Sequence, residues 1–528
     1  MNDEIRVKLL ADSCDCRAFE LLGDNYFTKN VNKAYLCYEM ASFYDVSSTE
    51  KSELDEKMAK CRREDAFCVN PVSIVILSYN NMNITVDCIE SVRKHNPSDS
   101  YELVVVDNAS TDGVTLWLDK QSDIRLIKNE KNMGFGYGCN QGVEASSKNN
   151  DILFLNNDTI LCENSLFWLR MGLYENDTVG ATGSITNEGG NFQKVYENCS
   201  SIEEWLDFGK KNNVYEEHPY EEKISLLGFA MLIKRSVIDK VGLFDLRYEV
   251  GNYEDNDLGM RILAAGYKQL LCHNSFIFHY GRMAFKQGPD KKYLELMNAN
   301  CKRFVEKWGF DSWDYNSPDM NLIGLINVED KEKQIRILEI GCGMGTTLMK
   351  LKYLYPNAYV CGMEENETIV EIAGKTRNIS RINYDNCDFS EVSGKFDYII
   401  FGEVTSRVRN LDLLIGKAKN LLADTGTILF GFYNIMHGSV LLPLINGDFD
   451  YTGKGIIRKD SVSYYTLKSV LELMKRNNLR VDNLEGVRAN EEIFNTQSSL
   501  WNYLKDGLGD DFEQQCITYR FILSTSVM

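Results

Sequence analysis

Residues 71–80 read Pro-Val-Ser-Ile-Val-Ile-Leu-Ser-Tyr-Asn, an apolar run that stops in a polar turn. A short apolar run bounded by turn residues suits a strand buried in a parallel sheet, and open α/β sheets hold ligands beyond the carboxyl ends of such strands. A second stretch of the same kind stands at 335–345, Ile-Arg-Ile-Leu-Glu-Ile-Gly-Cys-Gly-Met-Gly. Each opens its own crevice, so two active sites are expected in one chain.

Outward from the first stretch, apolar strands at 72–77, 102–106, 124–128 and 152–155 alternate with helical patterns up to about 312. A second alternating set has strands near 335–340, 357–362, 397–401 and 426–432, within 331–528. The alternation predicts an α/β fold with mostly parallel sheets and crossover helices. Residues 313–330, with Asn316-Ser317-Pro318, read as a linker. Residues 1–68 carry Phe19, Leu22, Gly23, Tyr26, Ala34, Tyr38 and Ala41 at helical spacing, which resembles one tetratricopeptide-like hairpin. Such helices either pack on the next domain or contact a protein partner, because a single repeat cannot bury its own faces.

At 528 residues the chain exceeds one hydrophobic core, and its 44% hydrophobic and 26% charged residues are an ordinary globular mixture. The 77 acidic against 58 basic residues give a formal charge of −19, which argues against nucleic acid as a partner. No apolar run approaches the roughly 20 residues that span a bilayer, and the first residues lack a signal-peptide pattern. A cytoplasmic protein is expected, with at most transient contact with the membrane face. Its 15 scattered cysteines read as reduced, mostly buried thiols rather than disulfides or metal ligands.

Around the first strand four features converge. The strand at 72–77 ends in Ser78-Tyr79-Asn80, and Leu103-Val-Val-Val ends in Asp107-Asn108, where an acid can accept hydrogen bonds from a base or ribose. The segment Asn132–Gly142 places glycines and amides where a helix N-terminus could approach a ligand. The strand Ile152-Leu-Phe-Leu runs into Asn156-Asn157-Asp158, and a carboxylate leaving a buried strand needs a partner or a cation. Further on come Gly228-Phe-Ala-Met-Leu-Ile, Tyr253-Glu254-Asp255-Asn256-Asp257 and Phe276-Ile-Phe-His279. Taken alone, the acids at 254–257 would also suit a solvated helix N-terminus.

In this order the motifs closely resemble family-2 glycosyltransferases, particularly rhamnosyltransferase-like members, over roughly 71–310. The resemblance implies a GT-A fold and inverting transfer from a nucleotide-diphosphate sugar, with rhamnose as one donor sugar it suggests. Carried onto this sequence, Tyr79, Asp107 and Asn157 would bind the nucleotide sugar, and Asp158 would hold Mg²⁺ or Mn²⁺. Asp255 would be the general base, with Glu254 orienting the acceptor or its loop. His279 would be a further metal ligand or diphosphate contact, or a structural histidine. The family often has Asp-x-Asp where this chain has Asn156-Asn157-Asp158, leaving one direct carboxylate for the metal.

In the second set, Glu339-Ile-Gly341-Cys-Gly343-Met-Gly345 lets backbone approach a bulky ligand. Glu364 ends the next strand, where it would accept bonds from ribose hydroxyls, and Asp388-Phe389 would flank an adenine. The series resembles class I S-adenosylmethionine-dependent methyltransferases, with a Rossmann-like fold, from about 327 to at least 432. Where related sequences place a histidine before an aromatic pair ending in threonine, this chain has Ser461 upstream of Tyr464-Tyr465-Thr466. His437 is then a candidate base, with an ordinary loop histidine as the alternative.

The expected enzyme joins sugar transfer to O-methylation, using S-adenosylmethionine, on a glycan, lipid-linked or glycoprotein acceptor. The alternative is a glycosyltransferase with a catalytically inactive methyltransferase-like binding or assembly module. A non-enzymatic scaffold is a third reading.

Overall fold

The computed structural model describes residues 2–45, 48–248, 251–281, 291–451, 455–489 and 498–528. Two compact units divide the chain, Met1–Ser317 and Pro318–Met528. Each is built around its own sheet.

In the first unit the described strands are β1 (Val72–Ser78), β2 (Tyr101–Asp107), β3 (Ile124–Lys128), β4 (Asp151–Asn156), β5 (Thr159–Leu161), β6 (Val179–Ile185), β7 (Tyr220–Lys223), β8 (Ala230–Ile233) and β9 (Lys268–His279). They run in the order β3-β2-β1-β4-β8-β6-β9-β5, with β7 paired to β9. Val72, Ile74, Val75 and Ile76 are all buried, which is why β1 reads as a continuous apolar run. β1 is parallel to both β2 and β4, so the chain steps outward on one side and returns on the other. That reversal leaves a crevice beyond Ser78 and Asn156.

Two glycines of the Asn132–Gly142 segment, Gly138 and Gly142, have a packing role within their helix. A Cβ on Gly138 or Gly142 would collide with Leu77 or Val75, so these positions let the helix Phe135–Ala145 lie directly on β1. These two serve helix–strand packing.

Ahead of the sheet lie the helices Asn2–Ala11, Cys16–Tyr26, Val31–Tyr44 and Ser48–Cys61. Asp15 and Asn30 cap the second and third through side-chain bonds to Ala18 N and Lys33 N. Gly23 sits against the Tyr38 ring, so the second and third helices cross closely there. The apolar faces of these helices share one core with the sheet: Phe19, Leu22, Leu36 and Met40 cluster with Phe167, Trp168 and Met171 of the helix Ser165–Leu173. The buried Arg170 pairs with Glu39, and Lys33 with Glu175. The hairpin face expected to meet a protein partner is thus largely occupied by its own chain.

The second unit has β10 (Arg336–Ile340), β11 (Tyr359–Glu364), β12 (Ile379–Arg381), β13 (Phe396–Phe401), β14 (Leu422–Tyr433), β15 (Leu479–Arg488) and β16 (Thr518–Val527). Their order is β12-β11-β10-β13-β14-β16-β15. The first five are parallel, and β16 runs antiparallel between β14 and β15. The expected linker is shorter than 313–330. The helix Met320–Gly324 already belongs to this unit and buries Leu322 and Ile323 against Ile335 and Ile337. Among the described residues, no helix is long and apolar enough to cross a membrane.

Candidate active sites

At the carboxyl ends of β1 and β2, Tyr79 stands half exposed on the rim, whereas Asp107 is buried. Asp107 Oδ1 accepts from Ser110 Oγ at 2.5 Å and Oδ2 from Thr115 Oγ1 at 2.6 Å. Asp107 therefore holds its own loop in shape. Asn80, Asn81 and Ala109 adopt left-handed backbone there, with φ of 57°, 60° and 64°. Asn80 Oδ1 accepts from Thr111 N at 2.8 Å, which ties the two loops together. Asn157 Nδ2 donates to Thr85 Oγ1 at 2.8 Å and anchors the end of β4 to the helix Met82–His95.

Asp158 and His279 meet across the antiparallel β5–β9 pair, in which Thr159 faces His279. Asp158 Oδ1 lies 3.2 Å from His279 Nε2, and His279 Nδ1 donates to Glu188 O at 2.9 Å. Burial opposes the imidazolium, but the adjacent Asp158 carboxylate outweighs it and raises the His279 pKa. The Nδ1–H bond to a carbonyl leaves Nε2 directed at a carboxylate oxygen, the orientation of a histidine that ligates metal. An oxygen and an imidazole nitrogen suit a Mg²⁺- or Mn²⁺-type ion with its other positions open to phosphate and water. Among the described residues no group of three His, Cys, Asp or Glu could hold a metal by itself.

The acids of 254–257 divide into separate roles. Asp257 is buried and fully engaged, bonded to Arg261 Nε at 2.8 Å, Lys307 Nζ at 2.6 Å and Trp308 Nε1 at 2.9 Å. Asp255 Oδ2 accepts from Gly228 N at 3.2 Å and Oδ1 from Asn256 N at 2.8 Å. Burial raises the Asp255 pKa while those two N–H groups oppose the shift. Glu254 is buried, and its Oε2 has no hydrogen-bond partner among the described residues. Burial first and the Asp255 charge second push the Glu254 carboxyl up to about 8. The pair thus separates: Asp255 has donors for its charge, and Glu254 keeps its proton. Just before the helix Glu254–Ala264, Asn252 and Tyr253 hold φ of 73° and 74°, a strained entry.

Two adjacent residues connect Asp255 with the Asp158–His279 pair. Gly228 supplies the N–H that holds Asp255, and the Phe229 ring stacks on His279 with centroids 5.2 Å apart. Phe229 O also accepts from Asn156 N at 2.8 Å, closing the link to the end of β4. Asp158, His279 and Asp255 are distant in sequence and are linked through these two neighbouring residues.

In the second unit β10 leads into Gly341, Gly343 and Gly345, all left-handed with φ of 74°, 53° and 78°. A Cβ on Gly341 would stand 2.5 Å from Val404 Cβ and 3.2 Å from Tyr384 Oη. Glu364 Oε2 accepts from Gly343 N at 2.9 Å, while Oε1 accepts from Glu365 N and Asn366 N, each at 2.9 Å. Glu339 is buried, and its Oε2 is unpartnered among the described residues. Burial, then the neighbouring Asp319, raises its pKa well above the carboxyl range. Arg520 Nη2 pairs with Asp319 at 2.7 Å, so Glu339, Glu364 and Asp319 share this turn with one buried guanidinium. Asp388 is exposed, and its carboxylate accepts from Ser390 N at 2.9 Å. Phe389 packs on the core, and Tyr384, which the sequence did not single out, reaches the glycine turn.

His437 is corrected from candidate base to helix cap. Its side chain is wholly buried at the N-terminus of the helix Gly438–Ile445, where Nδ1 accepts from Ser439 N at 3.2 Å. Nε2 lies 3.2 Å from Ala489 O, and burial lowers its pKa. Both nitrogens are engaged, and no face of the ring is left for a substrate. Beside the glycine turn, at the end of β13, stands Glu403, the residue before Val404. Tyr433 Oη donates to Glu403 Oε1 at 2.7 Å, and Arg407 and Arg458 pair with Oε2 at 3.1 and 3.3 Å. The signal was local: an apolar strand, Phe396–Phe401, ending in Gly402-Glu403.

Sequence comparison matches residues 73–242 to Glycosyl transferase family 2 and residues 319–484 to a methyltransferase domain family. The chain joins a family 2 glycosyltransferase domain to a methyltransferase domain. The first is GT-A-like and the second Rossmann-like in topology. The methyltransferase part is similar to a ubiquinone biosynthesis O-methyltransferase of Pelagibacter ubique, 24% identical over 224 residues, covering 41% of this chain and 86% of the relative. The glycosyltransferase part is similar to glycosyltransferase AglE of Haloferax volcanii, 27% identical over 250 residues, covering 46% of this chain and 75% of the relative. A solved structure of GalNAc-T7 with UDP, GalNAc and Mn²⁺ aligns at 17% identity and a TM-score of 0.38, covering 47% of this chain and 50% of that one.

Proposed function

We propose that this bifunctional transferase moves a sugar, rhamnose being one candidate, from a nucleotide-diphosphate donor to an acceptor hydroxyl and O-methylates the resulting glycan. The acceptor would be a glycan, a lipid-linked sugar or a glycoprotein, met in the cytoplasm. The free state of all fifteen cysteines accords with that compartment.

The observation that carries the sugar-transfer step is the linkage of Asp158, His279 and Asp255 through Gly228 and Phe229. Asp255 takes the proton of the acceptor hydroxyl as that oxygen attacks the anomeric carbon, and the bond to the diphosphate breaks on the opposite face. Neutral Glu254 beside it avoids a second negative charge at the attacking oxygen. Asp158 and His279 would hold a divalent cation, which neutralises charge on the diphosphate. Tyr79, Asn157 and the loop shaped by Asp107 would bind the nucleotide.

In the second unit the Glu364 carboxylate at the glycine turn, with Asp319 close by, favours a cationic donor. An anionic pyrophosphate would be repelled there, whereas S-adenosylmethionine carries a sulfonium and an ammonium. That donor, when bound, supplies an electrophilic methyl group. With His437 buried as a cap, Glu403 with Tyr433 becomes the candidate proton acceptor for the hydroxyl to be methylated. The burial of His437 equally favours a second reading, a donor-binding module without turnover. Incubating the protein with a panel of nucleotide sugars, glycan acceptors and labelled S-adenosylmethionine, followed by mass spectrometry, tests both. A product heavier by one sugar residue and one methyl supports the bifunctional reading. Sugar transfer with donor binding but no methyl increment supports the second, and neither product sinks both.

A further inference from the structure

The loop that follows β6 ties the two halves of the transferase crevice together, and its most exposed feature is an aromatic ring held in a strained backbone. Asn191 and Gln193 both turn inward: Asn191 Nδ2 donates to Ser225 O at 2.6 Å, and the fully buried Gln193 donates to Ser184 O at 2.9 Å. Gln193 Oε1 also accepts from Leu227 N at 2.8 Å, immediately before the Gly228 that holds Asp255. At its other end the loop grips His279, since Asn187 Oδ1 accepts from His279 N at 2.8 Å and Glu188 O accepts from His279 Nδ1. Gly281, at φ +66°, lets the chain after His279 pass against Glu188.

Between its two inward-turned neighbours, Phe192 is forced outward. Its φ is 57°, an outlier for a bulky residue that only over-determined surroundings maintain. Its ring is 49% exposed, and the buried Lys223 ammonium lies 5.4 Å from the ring centre. One face is thereby backed from beneath. In the same loop, Lys194 pairs with Glu188 at 2.9 Å and lies 5.8 Å from the ring of Tyr196, which is also exposed. An aromatic face accompanied by charged, hydrogen-bonding groups has the chemistry that recognises a pyranose, whose C–H face covers a ring while its hydroxyls reach polar groups.

We propose that Phe192 is the stacking platform for the acceptor sugar, assisted by Tyr196, Lys194 and Glu188 of the same loop. This rests on the glycosyltransferase reading above. The nucleoside half of the donor lies at the β1 and β2 ends. The platform belongs to the loop bonded to both the base's holder and the metal pair, where an acceptor must arrive.

The test follows release of nucleoside diphosphate from UDP- and dTDP-hexoses, with and without a panel of methyl hexopyranosides as acceptor probes. In the wild type a methyl glycoside accelerates release. Phe192→Ala and Phe192→Gly raise the KM for that glycoside at least about tenfold with a much smaller change in donor KM, and Phe192→Tyr restores it. Phe192→Gly removes the ring while relieving the left-handed backbone, so its Tm holds or rises and separates loss of the platform from loss of the fold. The proposal is overturned if the glycine variant keeps the wild-type KM for the glycoside, or if the change falls on the donor's KM instead. It is also overturned if no glycoside accelerates a measurable release into water. A wild type that cleaves no donor overturns the transferase reading itself, and the platform with it.

Discussion

His279 Nε2 stands 3.2 Å from Asp158 Oδ1 because β5 and β9 pair in the register that sets Thr159 opposite His279. The contact is made by sheet geometry rather than by flexible side chains reaching across a loop. A shift of one residue would turn His279 to the other face of the sheet and dissolve the pair.

Removal of either partner is therefore expected to weaken donor binding in a metal-dependent manner. Asp158→Asn and His279→Ala should each raise the donor KM by about tenfold or more in Mn²⁺, as loss of a ligand or its orienting bond does elsewhere. Calorimetric titration of Mn²⁺ with a nucleoside diphosphate checks this. Full wild-type activity in the presence of a strong chelator removes the metal from the site.

Asp255→Asn keeps size and the bonds from Gly228 and Asn256 but cannot take a proton. Turnover should fall by roughly a hundredfold or more while donor affinity is retained. Glu254→Gln, which mimics the protonated acid, should keep most of the turnover. The opposite pattern in steady-state kinetics would move the base to Glu254.

Stability should carry the signature of Glu254. Its pKa is raised in the folded state, so between about 4.5 and about 8 the folded protein retains a proton that the unfolded chain has released. The folded state then binds more protons, and stability contributed by this group falls as pH rises through that window. Melting curves of the wild type and Glu254→Gln should converge at acid pH and separate toward pH 8, with the variant the more stable. Parallel curves would mean that Glu254 is ionised in the fold.

In the second unit, Gly341→Ala would place a methyl 2.5 Å from Val404 Cβ on a backbone at φ +74°. S-adenosylmethionine affinity should drop at least about tenfold while sugar transfer continues, because the two cores are separate. His437→Ala should cost about 1 kcal/mol or more through the lost cap and leave methyl transfer measurable. Glu403→Gln should instead lower methyl transfer with little loss of Tm. Labelled-methyl assays on the three variants distinguish the roles.

Much of this architecture was legible. β1, β2, β4 and β10 are buried on both faces, which forces the apolar runs that announce them, and the left-handed Gly341, Gly343 and Gly345 have to be glycine or close to it. The short β12 and the largely solvent-facing β15 carry no such run, and β16 finds its place between β14 and β15 only through pairing. Asp158 and Asp255 stood out because acids after apolar segments need a reason. That they are linked through Gly228 and Phe229 depends on registers distant in sequence. His437 misled because a histidine in a polar loop looks reactive, yet His437-Gly-Ser439 is also the pattern of a capped helix start. Gly138 and Gly142 read two ways, since backbone that must approach a ligand and backbone that must approach a strand call for the same residue.

The shared core of the first unit has a consequence for synthesis. Glu39 leaves the ribosome 131 residues before the Arg170 it pairs with, and the apolar faces around Phe19 and Leu36 wait at least as long for Phe167 and Trp168. At typical elongation rates that interval is on the order of ten seconds, ample time for an uncovered helical hairpin to find a wrong partner. The nascent amino-terminal segment should be the part of this enzyme most dependent on chaperones, and slowing translation ahead of residue 165 should lower its yield more than slowing it afterwards.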